Sequence, residues 1–278
     1  MLTRRDFHKF ALALPAVAAS AKLTNGVMLG AQSYSFRDRP LDDAIAAMKD
    51  IGITYVEMWQ GHAENEKMKR EELRKWRETV SLDEFSKIGQ KLKAAGIELW
   101  AYNYSVRDDF SDAEIARGFE MAKALGTNRI TASANVTTAR RVDPFAQKAK
   151  ITVGYHNHSR IVKNEFATPD DFEAALKGMS KYTALNLDIG HFWAANFNPV
   201  EYLEQHHDKI ISLHIKDRQK NQGDNMPFGR GTTPIKEVLQ LLKTKKYKIP
   251  AMIEYEYKGQ DTVAEVRKCF EYCKSAIA

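Results

Sequence analysis

From Val27 onward two kinds of apolar pattern alternate along the chain. Short apolar runs rich in β-branched and aromatic residues predict strands over residues 27–36, 54–60, 98–104, 129–135, 152–158, 183–191, 210–217 and 249–257. Between them, apolar residues at helical spacing predict helices over 41–51, 82–95, 113–125, 169–179, 199–206, 234–245 and 261–276. Punctuation agrees: Ser81, Ser111 and Thr168 stand at N-cap positions, and Pro169, Pro199 and Pro234 suit first turns. Gly52, Gly96, Gly126 and Gly178 stand where helices should stop. Strands alternating with helices in this way predict one α/β domain over residues 22–278, a single (β/α)8 TIM barrel. A doubly wound open sheet competes, but no Gly-rich dinucleotide loop supports it. Only 136–151 separates the fourth and fifth strands, so a short helix around 144–148 is expected there.

Alternation within the later strands sorts side chains onto two faces. His156 and His158 oppose Val153 and Tyr155, and Asn186 and Asp188 oppose Leu185 and Leu187. Ser212, His214 and Lys216 oppose Leu213 and Ile215, and Glu254 and Glu256 oppose Ile253 and Tyr255. The apolar set can pack on outer helices while the polar set points into the barrel. Inward carboxylates and imidazoles are costly unless paired or metal-bound, so their convergence from four successive strands predicts a metal ion at one mouth.

The order and spacing of Tyr55-Val56-Glu57-Met58, Asn157-His158, Asp188-Ile189-Gly190-His191, His214-Ile215-Lys216-Asp217, Gly229-Arg230-Gly231 and Ile253-Glu254 resemble the xylose isomerase-like TIM barrels, the sugar isomerase/epimerase superfamily. The resemblance implies a divalent cation held by Glu, Asp, His and Glu from strands five to eight. Asp188, His214 and Glu254 match three of these. Where the family has Glu followed by Asn-His, this chain has His156-Asn157-His158, so His156 takes the fourth position. Two imidazoles and two carboxylates suit Mn, Fe, Co, Ni or Zn better than Mg or Ca.

The resemblance also implies proton abstraction next to a carbonyl through an enediolate, the chemistry of a divalent-metal-dependent sugar isomerase or epimerase-like enzyme. Two-sided epimerisation in the family uses two glutamates, and His156 replaces one of them. Glu254 is the leading base, with Glu57 and His158 in reserve. His191, Lys216, Arg230, Trp59, Tyr104 and Trp193 are the candidate substrate contacts. The same enediolate can expel a neighbouring leaving group, so a 3-keto-glycoside lyase acting by β-elimination is the alternative. A non-catalytic sugar-binding protein is a further one.

Composition refines this picture. Hydrophobic content of 44% and charged content of 28% fit a globular chain with a sizeable core. The net charge of +6 is spread among acidic residues with no basic stripe, which argues against a nucleic-acid partner. Cys269 and Cys273 lie four apart on one predicted helix, a poor geometry for a disulfide, and read as small buried residues. Residues 64–79 are densely charged and mixed in sign, predicting a solvated helix or a lid after the second strand. The basic run 243–248 predicts a solvent-facing edge.

At the N-terminus Arg4-Arg5, the apolar run 11–19 and Ala19-Ser20-Ala21 resemble a twin-arginine export signal over residues 1–21. The expected location is the periplasm, with no stable membrane association after cleavage. The expected partner is a small sugar or keto-glycoside, and an oligomer is compatible with the sequence.

Overall fold

A computed structural model describes residues 22–65 and 67–278, so the export-type segment 1–21 lies outside the described residues. Eight strands form a closed parallel barrel: β1 (Leu29–Gln32), β2 (Tyr55–Trp59), β3 (Glu98–Asn103), β4 (Arg129–Ala132), β5 (Thr152–His156), β6 (Thr183–Asp188), β7 (Ile210–Ile215) and β8 (Ala251–Ile253). Each strand pairs with its neighbours in sequence, and β1 closes on β8 with Leu29 opposite Ala251. This is the expected (β/α)8 barrel. The strands are shorter than predicted because their last residues leave the ladder to build the mouth. Ser33–Phe36, for example, turns into a 3₁₀ helix directly after β1.

The surrounding helices are α1 (Leu41–Ile51), α2 (Arg70–Thr79), α3 (Leu82–Ala94), α4 (Asp112–Leu125), α5 (Val136–Ala149), α6 (Pro169–Leu176), α7 (Ile189–Ala194), α8 (Pro199–His206), α9 (Ile235–Lys245) and α10 (Thr262–Ala276). The hydroxyls of Ser81, Ser111 and Thr168 accept from the N–H groups of Asp83, Glu114 and Asp171, as N-caps do. Pro169 and Pro199 lie in first turns, whereas Pro234 is the N-cap itself. Cys269 and Cys273 are free and buried on α10, as expected.

Two expectations need correction. The segment before β5 is a full helix of 14 residues rather than a short one at 144–148. Its core face mixes Ala139, Val142 and Ala146 with buried Thr138 and Asp143, which hid the helical period. Asp143 is kept buried by Ser180 and Thr183, whose hydroxyls donate to it at 2.6 and 2.9 Å. The second correction concerns α2, which is not a freely solvated helix. Arg77 is 2% exposed and donates twice to Glu64 at 2.8 and 2.7 Å, and Arg70 donates twice to Glu114 of α4 at 2.7 and 2.9 Å. Fully buried Glu114 is thus the anchor for three arginines of α2, Arg70, Arg74 and Arg77, and no residue of α2 lines the central pocket.

The core lies between barrel and helices, where Leu185, Leu187, Leu213 and Ile215 are all buried. Inside the barrel the filling changes with height. Tyr55, Trp100, Ala101 and Met252 form a small separate apolar cluster. Tyr55 and Met252 precede Glu57 and Glu254 by two positions, so they share an inward face one layer below. Gly30 makes that layer fit: a Cβ there would stand 2.5 Å from the Tyr55 carbonyl oxygen. Above it sits a buried polar layer of Glu57, Thr131, Asn186 and Ser212, and this layer is the floor of the site.

Candidate metal centre

The four expected ligands arrive from the C-terminal ends of consecutive strands, His156 from β5, Asp188 from β6, His214 from β7 and Glu254 just after β8. One ligand-type atom from each lies within 4.8 Å of every other, and all four residues are buried. Asn157 holds two of these strand ends together: its amide donates to the Asp188 carbonyl at 3.2 Å and its oxygen accepts from the Asp188 N–H at 2.9 Å.

The floor sets how the imidazoles present themselves. The Asn186 amide donates to Ser212 Oγ at 2.6 Å, so its Oδ1 is left to accept from His156 Nδ1 at 2.9 Å. That puts the His156 hydrogen on Nδ1 and leaves Nε2 with a lone pair for a metal. His214 meets Glu57 through Nε2 at 2.8 Å and Glu254 through Nδ1 at 3.1 Å. With Nε2–H donating to Glu57, Nδ1 is the atom that would ligate once it gives up the proton it shares with Glu254. Asp188 Oδ1 accepts the His191 N–H at 2.6 Å, but Oδ2 is buried without a hydrogen-bond partner. Lys216 Nζ lies 3.2 Å from Oδ2, outside hydrogen-bonding geometry. An orphaned buried carboxylate oxygen beside an unprotonated imidazole nitrogen fits a metal ligand set.

Charge dominates the surroundings. Burial pushes Asp188 up to about 6, against the pull of Lys216. Burial also holds His156, His158 and His191 below the ordinary imidazole range. His214 runs the other way: burial opposes its charge, but the carboxylates of Glu57 and Glu254 outweigh that and hold it well above 6.5. Lys216 is 2% exposed, and its ammonium lies 2.9 Å from Glu254 and 2.5 Å from Glu256. Burial opposes its charge too, but Asp188, Glu254 and Glu256 raise it.

Above the ligands opens a cavity of about 230 Å³. Of the residues singled out in the sequence, His158, His191, Lys216 and Trp59 line it together with His156, His214 and Glu254. Besides the fully buried Asp188, four others lie elsewhere. Glu57 is fully buried in the floor, where Thr131 and His214 donate to it, and it has no face on the cavity. Tyr104 points to the opposite side of β3, stacking on Tyr102 while its hydroxyl donates to the Glu114 carbonyl at 3.1 Å. Trp193 donates to Thr232 Oγ1 at 2.9 Å with Lys220 over its ring. Arg230 is exposed and lines a different, outer cleft. The glycines beside it are explained by Asp217, whose Oδ2 accepts the N–H groups of Gly229 and Gly231 at 2.8 and 2.9 Å.

Sequence reasoning passed over Gln32, Tyr34, Asn103, Ser105, Ser133 and Glu256, which also line the cavity. Glu256 follows Glu254 by two positions, and that parity had already set it on the inward face, though with no role assigned. Tyr34 meets Trp59 edge to face at 5.0 Å, giving the cavity an aromatic wall.

A closed eight-stranded barrel with metal-capable residues at the C-terminal ends of its strands defines a TIM-barrel protein whose site has enzyme architecture. Residues 45–275 match the family model of the xylose isomerase-like TIM barrel, and the chain belongs to that family. Solved structures share the fold at low identity. A sugar phosphate isomerase/epimerase from Parabacteroides distasonis superposes with a TM-score of 0.64 at 18% identity, covering 94% of this chain and 98% of that one. The IolI protein with a bound zinc atom gives 0.70 at 17%, covering 90% and 98%. A probable 3-DHS dehydratase, AsbF from Bacillus anthracis, gives 0.64 at 15%, covering 90% and 97%. No curated protein matches the chain.

Proposed function

We propose that this protein is a divalent-metal-dependent sugar isomerase or epimerase-like enzyme that removes a proton next to a carbonyl and passes through an enediolate. The observation that carries the reading is the convergence of His156, Asp188, His214 and Glu254, with one buried Asp188 oxygen left without a hydrogen bond. Bound there, a Mn, Fe, Co, Ni or Zn ion would supply Lewis acidity to polarise the carbonyl and steady the enediolate charge.

The chain's own groups divide the remaining work. Glu254 lines the cavity too but serves in the ligand set, so the proton falls to other groups facing the cavity. Glu256 is 25% exposed there and accepts a hydrogen bond from Lys216 at 2.5 Å, which keeps its carboxylate fixed. His158 faces the cavity from the end of β5, on another wall. Kept unprotonated chiefly by burial, it has a lone pair to receive or return a proton. Lys216 and His191 present donors to substrate oxygens, and Trp59 with Tyr34 offers apolar faces to a sugar ring.

The substrate class is an unphosphorylated sugar or oxidised sugar, and the place of action is the periplasm. The twin-arginine-type N-terminus supports both, since phosphorylated sugars are scarce outside the cytoplasm. The cavity supports the first independently. No arginine lines it among the described residues, and its one lysine is already engaged by carboxylates.

The test is mass spectrometry of the metal-loaded protein with free sugars and 3-keto-glycosides in heavy water. Deuterium gain without other mass change supports isomerisation or epimerisation. Release of an aglycone with an unsaturated sugar left behind would replace this reading with the β-eliminating lyase. Neither product across the set, with metal bound, sinks the enzymatic reading.

A further inference from the structure

We infer that the end of the barrel opposite the mouth is a docking face for an anionic lipid bilayer, held there reversibly by lysine charge with the cavity turned away. Along the sequence lysines and acids are interspersed, but the fold sorts them. In a barrel of this kind every helix ends, and every strand begins, at the end away from the active-site mouth. There α1, α3, α4, α5, α9 and α10 close on lysine in their last turns. The connectors to the following strands add Lys150, Lys177, Lys181, Lys246 and Lys248, all exposed. The mouth side is the reverse, with acids in the first turns of α1, α3, α4 and α6.

Lysine in a last turn complements the helix dipole. That accounts for the last-turn residues but not for Lys181 and Lys248, which lie beyond the helix ends. Nor are these charges cancelled locally. Asp50, Glu204 and Asp208 are paired with Arg267, Lys245 and Lys209, and Glu98 lies near Arg129. Lys148, Lys181 and Lys248 are exposed, with no acidic partner among the described residues.

Two observations name the occupant. The first is where the described chain starts. The Lys22 carbonyl accepts from Thr54 Oγ1 at 3.1 Å just before β2, and Leu23, 56% exposed, shares a cleft with Lys246 and Lys248. The apolar run 11–19 ends three residues earlier in the sequence, a step of at most about 10 Å. A chain whose N-terminal run meets a bilayer therefore brings this face to the lipid surface. The second is that the unpaired cations are lysines. Lysine is a point charge suited to a diffuse layer of lipid phosphates, whereas the arginine fork serves bidentate recognition in nucleic acids. The arginines on this face, Arg129 and Arg267, are engaged by the Trp100 ring and by Asp50.

The experiment is sedimentation with vesicles of phosphatidylglycerol and phosphatidylethanolamine, or of phosphatidylcholine alone. It uses the full chain and residues 22–278, which hold every strand and helix of the barrel. Lys148→Gln, Lys181→Gln and Lys248→Gln together are compared with Lys67→Gln, Lys163→Gln and Lys258→Gln, an equal charge change on mouth-side loops. Both chains should bind the anionic vesicles, and residues 22–278 should let go at high salt. The first triple should weaken binding by on the order of 100-fold, about fivefold per lysine, and the second by no more than about twofold. Equal losses in the two triples would reduce the effect to net charge and overturn the inference. So would equally tight binding of residues 22–278 to phosphatidylcholine, or tighter binding to a DNA duplex at the same salt. Lysine acetylation of the wild-type chain gives a readout that needs no variant. Vesicles should protect Lys148, Lys181 and Lys248 and leave Lys67, Lys163 and Lys258 reactive, and any other pattern overturns the inference. No sugar enters the assay, so its outcome is independent of the proposed enzyme reading.

Discussion

Glu57→Gln is the perturbation that asks most directly whether the polar floor tunes the metal centre. Glu57 is fully buried, and its Oε1 accepts from Thr131 Oγ1 at 2.7 Å and from His214 Nε2 at 2.8 Å, while Oε2 faces Ser212 Oγ at 3.4 Å. Glutamine fills the same space and keeps one oxygen for the His214 N–H. Thr131 goes on donating to that oxygen, and the Ser212 hydroxyl can rotate to accept from the new amide, so packing and hydrogen-bond count survive. What disappears is the negative charge behind the imidazole, and with it the charge-assisted half of that bond. Partners of this kind are worth about 10- to 100-fold in metal affinity, roughly 1.4 to 2.8 kcal/mol. The assay is zinc titration of the stripped protein against a chromophoric chelator, with far-UV circular dichroism to show that the barrel is intact. An affinity within about twofold of wild type would refute the claim that Glu57 sets the His214 ligand. Complete loss of binding would refute it differently, by making Glu57 a ligand.

Other perturbations test the rest of the account. Asp188→Ala and His214→Ala should each abolish bound metal, read by elemental analysis, with the barrel still folded; persistent occupancy in both would move the site elsewhere. Burial works against Glu114's charge, but Arg70 and the Ser111 N–H hold it down at about 2 against an ordinary 4.5. A depressed folded value means stability fully present above 4.5 and lost as pH falls toward 2, worth roughly 3 kcal/mol at most. Urea unfolding at about pH 6 and pH 3 should therefore show a steeper loss in wild type than in Glu114→Gln, and equal losses would remove Glu114 as the acid-sensitive anchor. In Gly190→Ala the new Cβ would stand 2.6 Å from the Lys216 carbonyl oxygen. It should cost about 1–3 kcal/mol in thermal or urea unfolding, and a neutral result would mean that the turn after β6 can relax.

The barrel was legible because its apolar runs, caps and helix stops are local signals. The ligand set was legible because alternation puts every second residue of a strand on one face. The same parity, carried one step further, separates the aromatic candidates. Asn103 faces the cavity, so Tyr104 must face outward, whereas Trp59 shares the phase of Glu57 and does line the cavity. The same parity set Glu256 on the inward face, where it does line the cavity. The burial of Arg218 was not recoverable, because it depends on a loop carbonyl at Gly223 and a serine at Ser159 that only the folded chain brings to it. Nor was the seating of α2: a helix fastened by arginines to one buried glutamate has the hydropathy of a solvated one. Gly229 and Gly231 pointed to Arg230, but those glycines serve the Asp217 carboxylate that gathers their N–H groups.

The distribution of charge at the mouth ties these observations together. Glu57, Asp188, Glu254 and Glu256 surround one small buried volume, and the cations within ion-pair distance of them among the described residues are Lys216 and, while no metal holds its Nδ1, a protonated His214. That leaves an excess of two negative charges with little water to screen it. A divalent ion cancels much of the excess and also takes the Asp188 oxygen that has no hydrogen bond, which an apolar occupant would leave unsatisfied. A phosphate would reintroduce negative charge beside these carboxylates, with no arginine on the cavity wall among the described residues to receive it. A neutral sugar adds none, and its hydroxyls match the donors and acceptors of Gln32, Asn103, Ser105 and Ser133 around the rim. The same electrostatics that favour a metal in the floor thus favour an uncharged sugar above it.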